Sequence, residues 1–287
     1  MNKIYDCFTF YNEYDLLDLR LDLLYAHVDY FVIVEANQKF TNAPKPWNFD
    51  ASRYLHYADK IIYIQVDDMP NSANPWDNEH HQRNAIVRGL KDADPNDIII
   101  ISDCDEILRP EAVAHIRASE QTLFALRMPL FNFKFNYMRT SDGAYDCWAM
   151  AARRSVFDDI TPNTLREMRH SFSGAPLQFV NDGCELVEHA GWHFGYLGNT
   201  EFLRDKAQSF SHQEVNTPEF LAQIDPNASI AKRTSWKQDS ADIYEIVKLD
   251  NYFPKELYTN PEKYQQWILP SSDITTFDLL PAYTYNT

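Results

Sequence analysis

The feature that most restricts the fold is a set of short, unbroken apolar runs. YFVIVEAN (30–37), KIIYIQV (60–66) and DIIII (97–101) carry hydrophobic residues at odd and even positions alike. A strand with one wet face alternates, whereas a strand covered on both faces reads as a continuous run. Helical spacings lie between the runs. Leu17, Leu21, Leu24 and Val28 follow one another at four, three and four residues, which is one face of a helix. Asn12, with Asp15 three positions on, reads as its N-cap. Residues 78–91 read as a second helix with Ile86, Val87 and Leu90 facing inward. With a first strand over residues 4–10, the order is strand, helix, strand, loop, strand, helix, strand. That order predicts βαβ units, and hence an α/β fold on a mostly parallel central sheet flanked by helices.

In such sheets ligands bind outside the carboxyl ends of the strands. Three polar clusters fall there: Asn12 with Glu13, Glu35 with Asn37, and Asp103 with Asp105 and Glu106. The third is the sharpest, because four isoleucines run straight into three acids. Crowded carboxylates repel unless positive charge sits among them. A hard divalent cation such as Mg²⁺ or Mn²⁺ supplies that charge and prefers oxygen ligands. In Asp-x-Asp the two side chains can straddle a tight turn and reach one metal, which in turn bridges a diphosphate. The same two aspartates also suit a turn leading into a helix near Pro110, so the pattern alone leaves both readings open.

Charge narrows the partners. With 26 Lys and Arg against 42 Asp and Glu, the formal net charge is 26 − 42 = −16. Such a chain is repelled by nucleic acid and by anionic membranes, so no nucleic-acid partner is expected. A small anionic ligand requires a metal or a local Arg/Lys group to receive it. Cys7, Cys104, Cys147 and Cys184 form no CxxC pair, and reduced thiols in a cytoplasm are the expectation. The start MNKIYDCFTFYNEYD has no long apolar stretch, and no run approaches the length that spans a bilayer. A cytoplasmic location is expected, with peripheral membrane association only through the acceptor.

The second half is patterned differently. FNFKFNY (131–137) alternates aromatic and polar residues, which predicts a half-exposed strand, with residues 144–157 pairing to it. Residues 158–176 read as a loop, 191–198 as a short strand and turn, and 202–212 as a helix. Beyond residue 216 the pattern is mixed.

Three blocks, IYDCFTFYNEYDLLDLRLDLLYAHVDYFVIVEAN, IIIISDCDEI and HAGWHFGYLG, resemble glycosyltransferase family 17 in their order and spacing. The resemblance covers residues 4–214 and implies a GT-A-type, Rossmann-like sheet with a smaller mixed acceptor-side sheet. It implies a catalytic domain over 1–215, divided into a nucleotide-sugar half (1–108) and an acceptor half (109–215), with 216–287 as an extension packed on it. It implies a UDP-sugar donor, most simply UDP-GlcNAc, a saccharide acceptor, a divalent Mn²⁺ or Mg²⁺, and an inverting mechanism. By position, Asp105 and Asp103 match the family's Asp-x-Asp, with Asp103 reaching the metal shell or the ribose, and His193 matches a late metal ligand. Asn12, Glu13, Glu35, Arg83, Asn84 and Lys206 are expected around the donor, and His212 can approach the diphosphate. The general base is expected at Glu188, with Asp146, Asp182 and Glu185 as alternatives. Trp47, Trp76, Trp148 and Trp192 offer flat faces to sugar rings, and one or two of the four are expected to touch ligand. Two rival readings remain open. A nucleotidyltransferase would carry a Gly-rich basic loop after the first strand, which FTFYNEYD lacks. A non-catalytic carbohydrate-binding protein would have no need of Asp103 and Asp105.

Overall fold

The structure is a computed structural model that describes residues 2–172, 183–237, 240–270, 272 and 274. Strands β1 (Ile4–Thr9), β2 (Tyr30–Ala36), β3 (Ile61–Val66) and β4 (Ile98–Asp103) are mutually parallel and lie in the order 3-2-1-4. The sheet continues past β4 into a mixed half. β8 (Tyr145–Arg153) runs antiparallel to β4, and β6 (Leu123–Asn132) runs antiparallel to β8. Around β6 cluster β5 (Glu106–Leu108), β7 (Tyr137–Arg139), β9 (Cys184–Val187), β10 (Gly191–Gly195) and β11 (Tyr244–Ile246). The parallel half and the mixed half are one connected sheet.

The four isoleucines explain the two-sided cover. Ile98 and Ile100 point to the face packed by α1 (Tyr14–Leu24) and α3 (Pro110–Ala118), through Leu17, Leu21, Val113 and Ile116. Ile99 and Ile101 point to the other face, with Ile86 and Leu165. Leu165 belongs to α4 (Pro162–Glu167), and Ile86 follows α2 (Pro75–Asn84). Helix α5 (Thr200–Ser209) lies beyond the carboxyl ends. The segment after residue 216 joins the sheet through β11, which pairs with β7, and buries Tyr252, Phe253, Leu257 and Tyr264 in the main core. All four cysteines are buried and free. No helix among the described residues is long and apolar enough to cross a membrane.

Four local expectations need correction. Glu13, not Asn12, stands at the cap position of α1, and its carboxylate turns back to accept from the N–H groups of Tyr11 and Asn12 at 3.0 and 3.1 Å. The second helix begins at Pro75 with Asn74 as its cap and tightens to a 3₁₀ turn at Ala85–Gly89. Three residues per turn instead of 3.6 rotates Val87 outward, to 46% exposure. Residues 131–137 are not one strand: β6 ends at Asn132, the chain reverses with Phe133 at φ 64°, and β7 starts at Tyr137. Phe133 and Phe135 are both fully buried, so their alternation does not mark a wet face. Residues 162–171 are not loop but α4 followed by a 3₁₀ turn, Met168–Ser171, with Thr161 accepting from the N–H of Thr164 at 3.1 Å.

Candidate active site

Strand order reverses between β1 and β4, and open α/β sheets form their binding crevice where the order reverses. Thr9 and Asp103, the last residues of these two strands, stand side by side in the register. The chain after each strand turns away, β1 into Glu13 and α1, and β4 into the Asp103–Glu106 turn. A cleft of about 290 Å³ opens between them, closed on the far side by α5 and the end of β10.

The acidic turn is held from below by Arg20. This side chain is fully buried and pairs with Asp6 at 2.5 Å. Its other donors reach the hydroxyl of Ser102 (2.6 Å) and the carbonyls of Asp103 (2.9 Å) and Glu106 (3.1 Å). One guanidinium thus fixes the backbone that carries all three acids.

The acids divide into two groups. Asp103 lies between two arginines, with Arg166 Nη2 at 2.9 Å and Arg83 Nη2 at 3.3 Å. Burial pushes its pKa up, but Arg166 and then Arg83 outweigh that and hold the carboxyl far below its usual range. Asp105 faces the other way, toward Lys206 (3.4 Å) and His193 Nε2 (3.7 Å). Here too burial opposes ionisation, and Lys206 followed by His193 overcomes it, bringing the pKa down to about 2. Glu106 joins the groups. It takes Arg166 on one oxygen at 2.6 Å and the N–H of Asp103 on the other at 2.9 Å. Burial raises its pKa against the pull of Arg166.

Asp105, Glu106 and His193 each offer one ligand atom, and these atoms lie within 4.8 Å of one another. Register explains the meeting, because His193 of β10 sits opposite Glu106 of β5. The two strands approach so closely at Gly191 that an added Cβ would stand 2.1 Å from the carbonyl oxygen of Ile107. Two carboxylates and an imidazole suit a Mn²⁺-type cation. His193 Nδ1 is buried with no hydrogen-bond partner among the described residues. The donor set therefore fits a divalent cation. Asp103, placed with the metal by its motif, sits instead on its arginines and reaches the cluster through Arg166.

The remaining expected residues scatter. Glu13 lines the cleft, its pKa raised by burial against Lys206. Lys206 lines it too, and Asp105 and Glu13 raise its pKa against the cost of burial. Asn12 lies beside the cleft, and its Oδ1 is buried without a partner among the described residues. Glu35 is taken up by its own loop. It binds Lys45 (2.5 Å), the N–H groups of Asn48 (2.6 Å) and Phe49 (3.0 Å), and the hydroxyl of Tyr63 (2.7 Å). Asn84 does not reach the cleft: its Oδ1 accepts from the N–H of Asn163 (2.9 Å) while Arg83 donates to Asn163 Oδ1 (2.8 Å). This clamp fixes α4, the helix that carries Arg166. Glu188 pairs with Arg127 at 2.8 Å, and Asp146 lies on β8 opposite Met128, the next residue along β6. Neither belongs to the cleft wall. Glu185 is held by His115 and Ser119, and Asp182 lies outside the described residues. Of the four tryptophans, Trp76 and Trp148 line the cleft, Trp148 at 4.4 Å from the His193 ring. Trp192 is buried beneath Arg109, and Trp47 stands on the loop before the 3₁₀ turn Ala51–Tyr57. His212 stacks edge-on to Trp76 at 4.6 Å.

Three residues of the site were not foreseen: Arg20, Arg166 and Arg169. Arg20 had a signal, because it falls within the inward stripe between Leu17 and Leu24. Arg166 and Arg169 had none, since they lie on a six-residue helix and the turn that follows it.

The family model described as Glycosyltransferase family 17 matches residues 1–234. The β-1,4-mannosyl-glycoprotein 4-β-N-acetylglucosaminyltransferase of Homo sapiens is 27% identical over 150 residues, 47% of this chain and 28% of its own length. The Mus musculus protein of that name is 24% identical over 232 residues, 72% of this chain and 42% of its own. The chain thus spans less than half the length of these relatives. Among solved structures, glucosyl-3-phosphoglycerate synthase from Mycobacterium tuberculosis, in complex with Mn²⁺, UDP and phosphoglyceric acid, aligns at 13% identity and a TM-score of 0.35. That alignment covers 68% of this chain and 69% of the other.

Proposed function

The chain belongs to glycosyltransferase family 17, and from that premise we propose that it transfers a sugar, GlcNAc from UDP-GlcNAc, to a hydroxyl of a saccharide acceptor, with a divalent cation and inversion at the anomeric carbon. The observation that carries this reading is the cluster of Asp105, Glu106 and His193 at the switch point of the sheet.

Asp105, Glu106 and His193 would hold Mn²⁺ or Mg²⁺, which when bound supplies positive charge to the departing diphosphate. Lys206, fully protonated beside Asp105, brings a second cation to the same wall. Glu13 is preorganised by two backbone N–H groups on one oxygen, which leaves the other to accept a hydroxyl proton of the donor. Trp76 and Trp148 give apolar faces for sugar or base and keep water from the reacting centre. Glu188 is the proposed general base. It pairs with Arg127 outside the cleft wall, so it serves only an acceptor hydroxyl brought to it from beyond the cleft. Burial raises its pKa against Arg127. Asp146, across the β6–β8 pair, is the alternative.

Calorimetry with UDP, with and without Mn²⁺, followed by UDP release from UDP-GlcNAc, UDP-Glc, UDP-Gal and GDP-Man, tests this reading. UDP binding strengthened by Mn²⁺ and turnover of UDP-GlcNAc are expected. Preference for a nucleoside triphosphate would overturn it in favour of a nucleotidyltransferase, and no nucleotide binding would overturn it in favour of a carbohydrate-binding protein.

A further inference from the structure

On the Asp103 side of the cleft, away from Lys206, three arginines converge: Arg83 from α2, Arg166 from α4 and Arg169 from the 3₁₀ turn Met168–Ser171. Their carboxylates do not use up their donors. Arg166 is 1% exposed and places only Nη2 on Asp103 and Glu106. Its Nε and Nη1 are buried with no acceptor among the described residues, and so are Arg83 Nε and Arg169 Nε. Arg169 has no ion-pair partner at all among the described residues. Of the acids that act on it, Glu106 and Asp103 are already bonded to Arg166, and Glu167, the weakest of the three, pairs with His170. Burial, and then the charge of Arg166, pull its pKa down, so Arg169 is held against a like charge. Buried guanidinium N–H groups without acceptors are costly, and single donors from three guanidiniums together suit the several oxygens of a phosphoryl group. The arrangement is built, because the Asn84–Asn163–Arg83 clamp fixes the helix that presents Arg166.

We propose that Arg166 and Arg169, with Arg83, form an anion subsite that binds a phosphoryl group without metal, distinct from the Asp105–Glu106–His193 cluster. The group comes either from the diphosphate of the nucleotide donor or from a phosphate carried by the acceptor saccharide. The subsite rests on the arginines alone and does not depend on the transferase reading.

The test is calorimetry on the full chain at low salt in EDTA, with uridine, UDP and pyrophosphate. UDP and pyrophosphate bind, and uridine binds far more weakly. Arg169→Gln, which breaks no contact to Asp103 or Glu106, lowers pyrophosphate affinity about 10- to 100-fold with an unchanged circular dichroism spectrum. Arg169→Lys recovers part of the loss. A second arm adds glucose 6-phosphate or glucose to the chain saturated with UDP and Mn²⁺. Binding of the phosphorylated sugar alone, lost in Arg169→Gln, assigns the subsite to the acceptor. Exclusion of the phosphosugar by UDP assigns it to the donor. Pyrophosphate that fails to bind the wild-type chain in EDTA, or that binds Arg169→Gln equally well, overturns the subsite. UDP binding that appears when Mn²⁺ replaces EDTA would then leave the transferase reading standing, and its absence would remove both.

Discussion

Asp105→Asn separates two explanations for the acidic turn. In one, the three carboxylates repel and wait for a cation. In the other, the protein's own cations already balance them. Asp105 is 7% exposed and its pKa falls from 3.8 to about 2, because Lys206 and His193 overcome burial and the repulsion of Asp103. At about 1.4 kcal/mol for each tenfold in proton affinity, that drop is worth about 2 kcal/mol of folding stability at neutral pH. The sign follows from the direction. A carboxyl whose folded pKa is depressed stabilises the fold above its unfolded pKa of 3.8, and the contribution is lost as pH falls from there toward 2. Asp105→Asn in EDTA should therefore unfold about 2 kcal/mol more easily than wild type at pH 7. The gap should narrow steadily below pH 4. Denaturant titrations followed by tryptophan fluorescence measure it. Added Mn²⁺ at a hundredfold its dissociation constant should stabilise wild type by about 2.7 kcal/mol and the variant hardly at all. A variant as stable as wild type, or more so, in EDTA at pH 7 would refute the balance argued here. Asp105 would then be repelled more by Asp103 than it is held by Lys206.

Other perturbations probe the supports. Arg20→Met removes one partner of a buried ion pair and should cost about 3–5 kcal/mol, read by thermal unfolding; a loss below 1 kcal/mol would sink its role as the turn's anchor. Gly191→Ala drives a Cβ into the Ile107 carbonyl and should part β10 from β5, abolishing Mn²⁺ binding measured by electron paramagnetic resonance. Retained binding would show that His193 is not a ligand. Glu188→Gln should slow UDP-GlcNAc turnover about 10²- to 10⁴-fold with UDP affinity unchanged, and a wild-type rate would end its assignment as base.

What could be read from the sequence follows from how local the cause is. β2 and β4 were visible because cover on both faces leaves an unbroken apolar run, and strand ends then located the acids. The partners of those acids were not visible. Arg166 meets Asp103 across 63 residues from a helix too short to show a period. Glu35 stood at a strand end like the others, but its partners come from residues 45–49 and from Tyr63, on segments that carry no pattern tying them to it. The alternation in FNFKFNY misled because the segment after residue 216 folds back over it: the N–H of Phe135 donates to the carbonyl of Trp267 at 2.9 Å. A wet face and a face covered from far away look the same in one strand.

These partners change what the acidic cluster means. Carboxylates at a strand end need positive charge, and the sequence alone suggested that a metal provides it. The fold provides much of it without one: Arg83 and Arg166 at Asp103, Arg166 at Glu106, Lys206 at Asp105, and Arg20 beneath the turn. A cluster compensated in this way is formed before any cation arrives, unlike small metal domains whose folding free energy is the binding free energy. Preorganisation then spares the entropy of gathering three ligands at the moment of binding. Its cost is competition, since a cation approaching Asp105 meets the field of Lys206, which must give way or turn toward the incoming anion. An anionic ligand resolves that conflict. It would accept a lysine that a bound cation displaced, so cation and anion should favour one another on this wall, each raising the affinity of the other by the same factor.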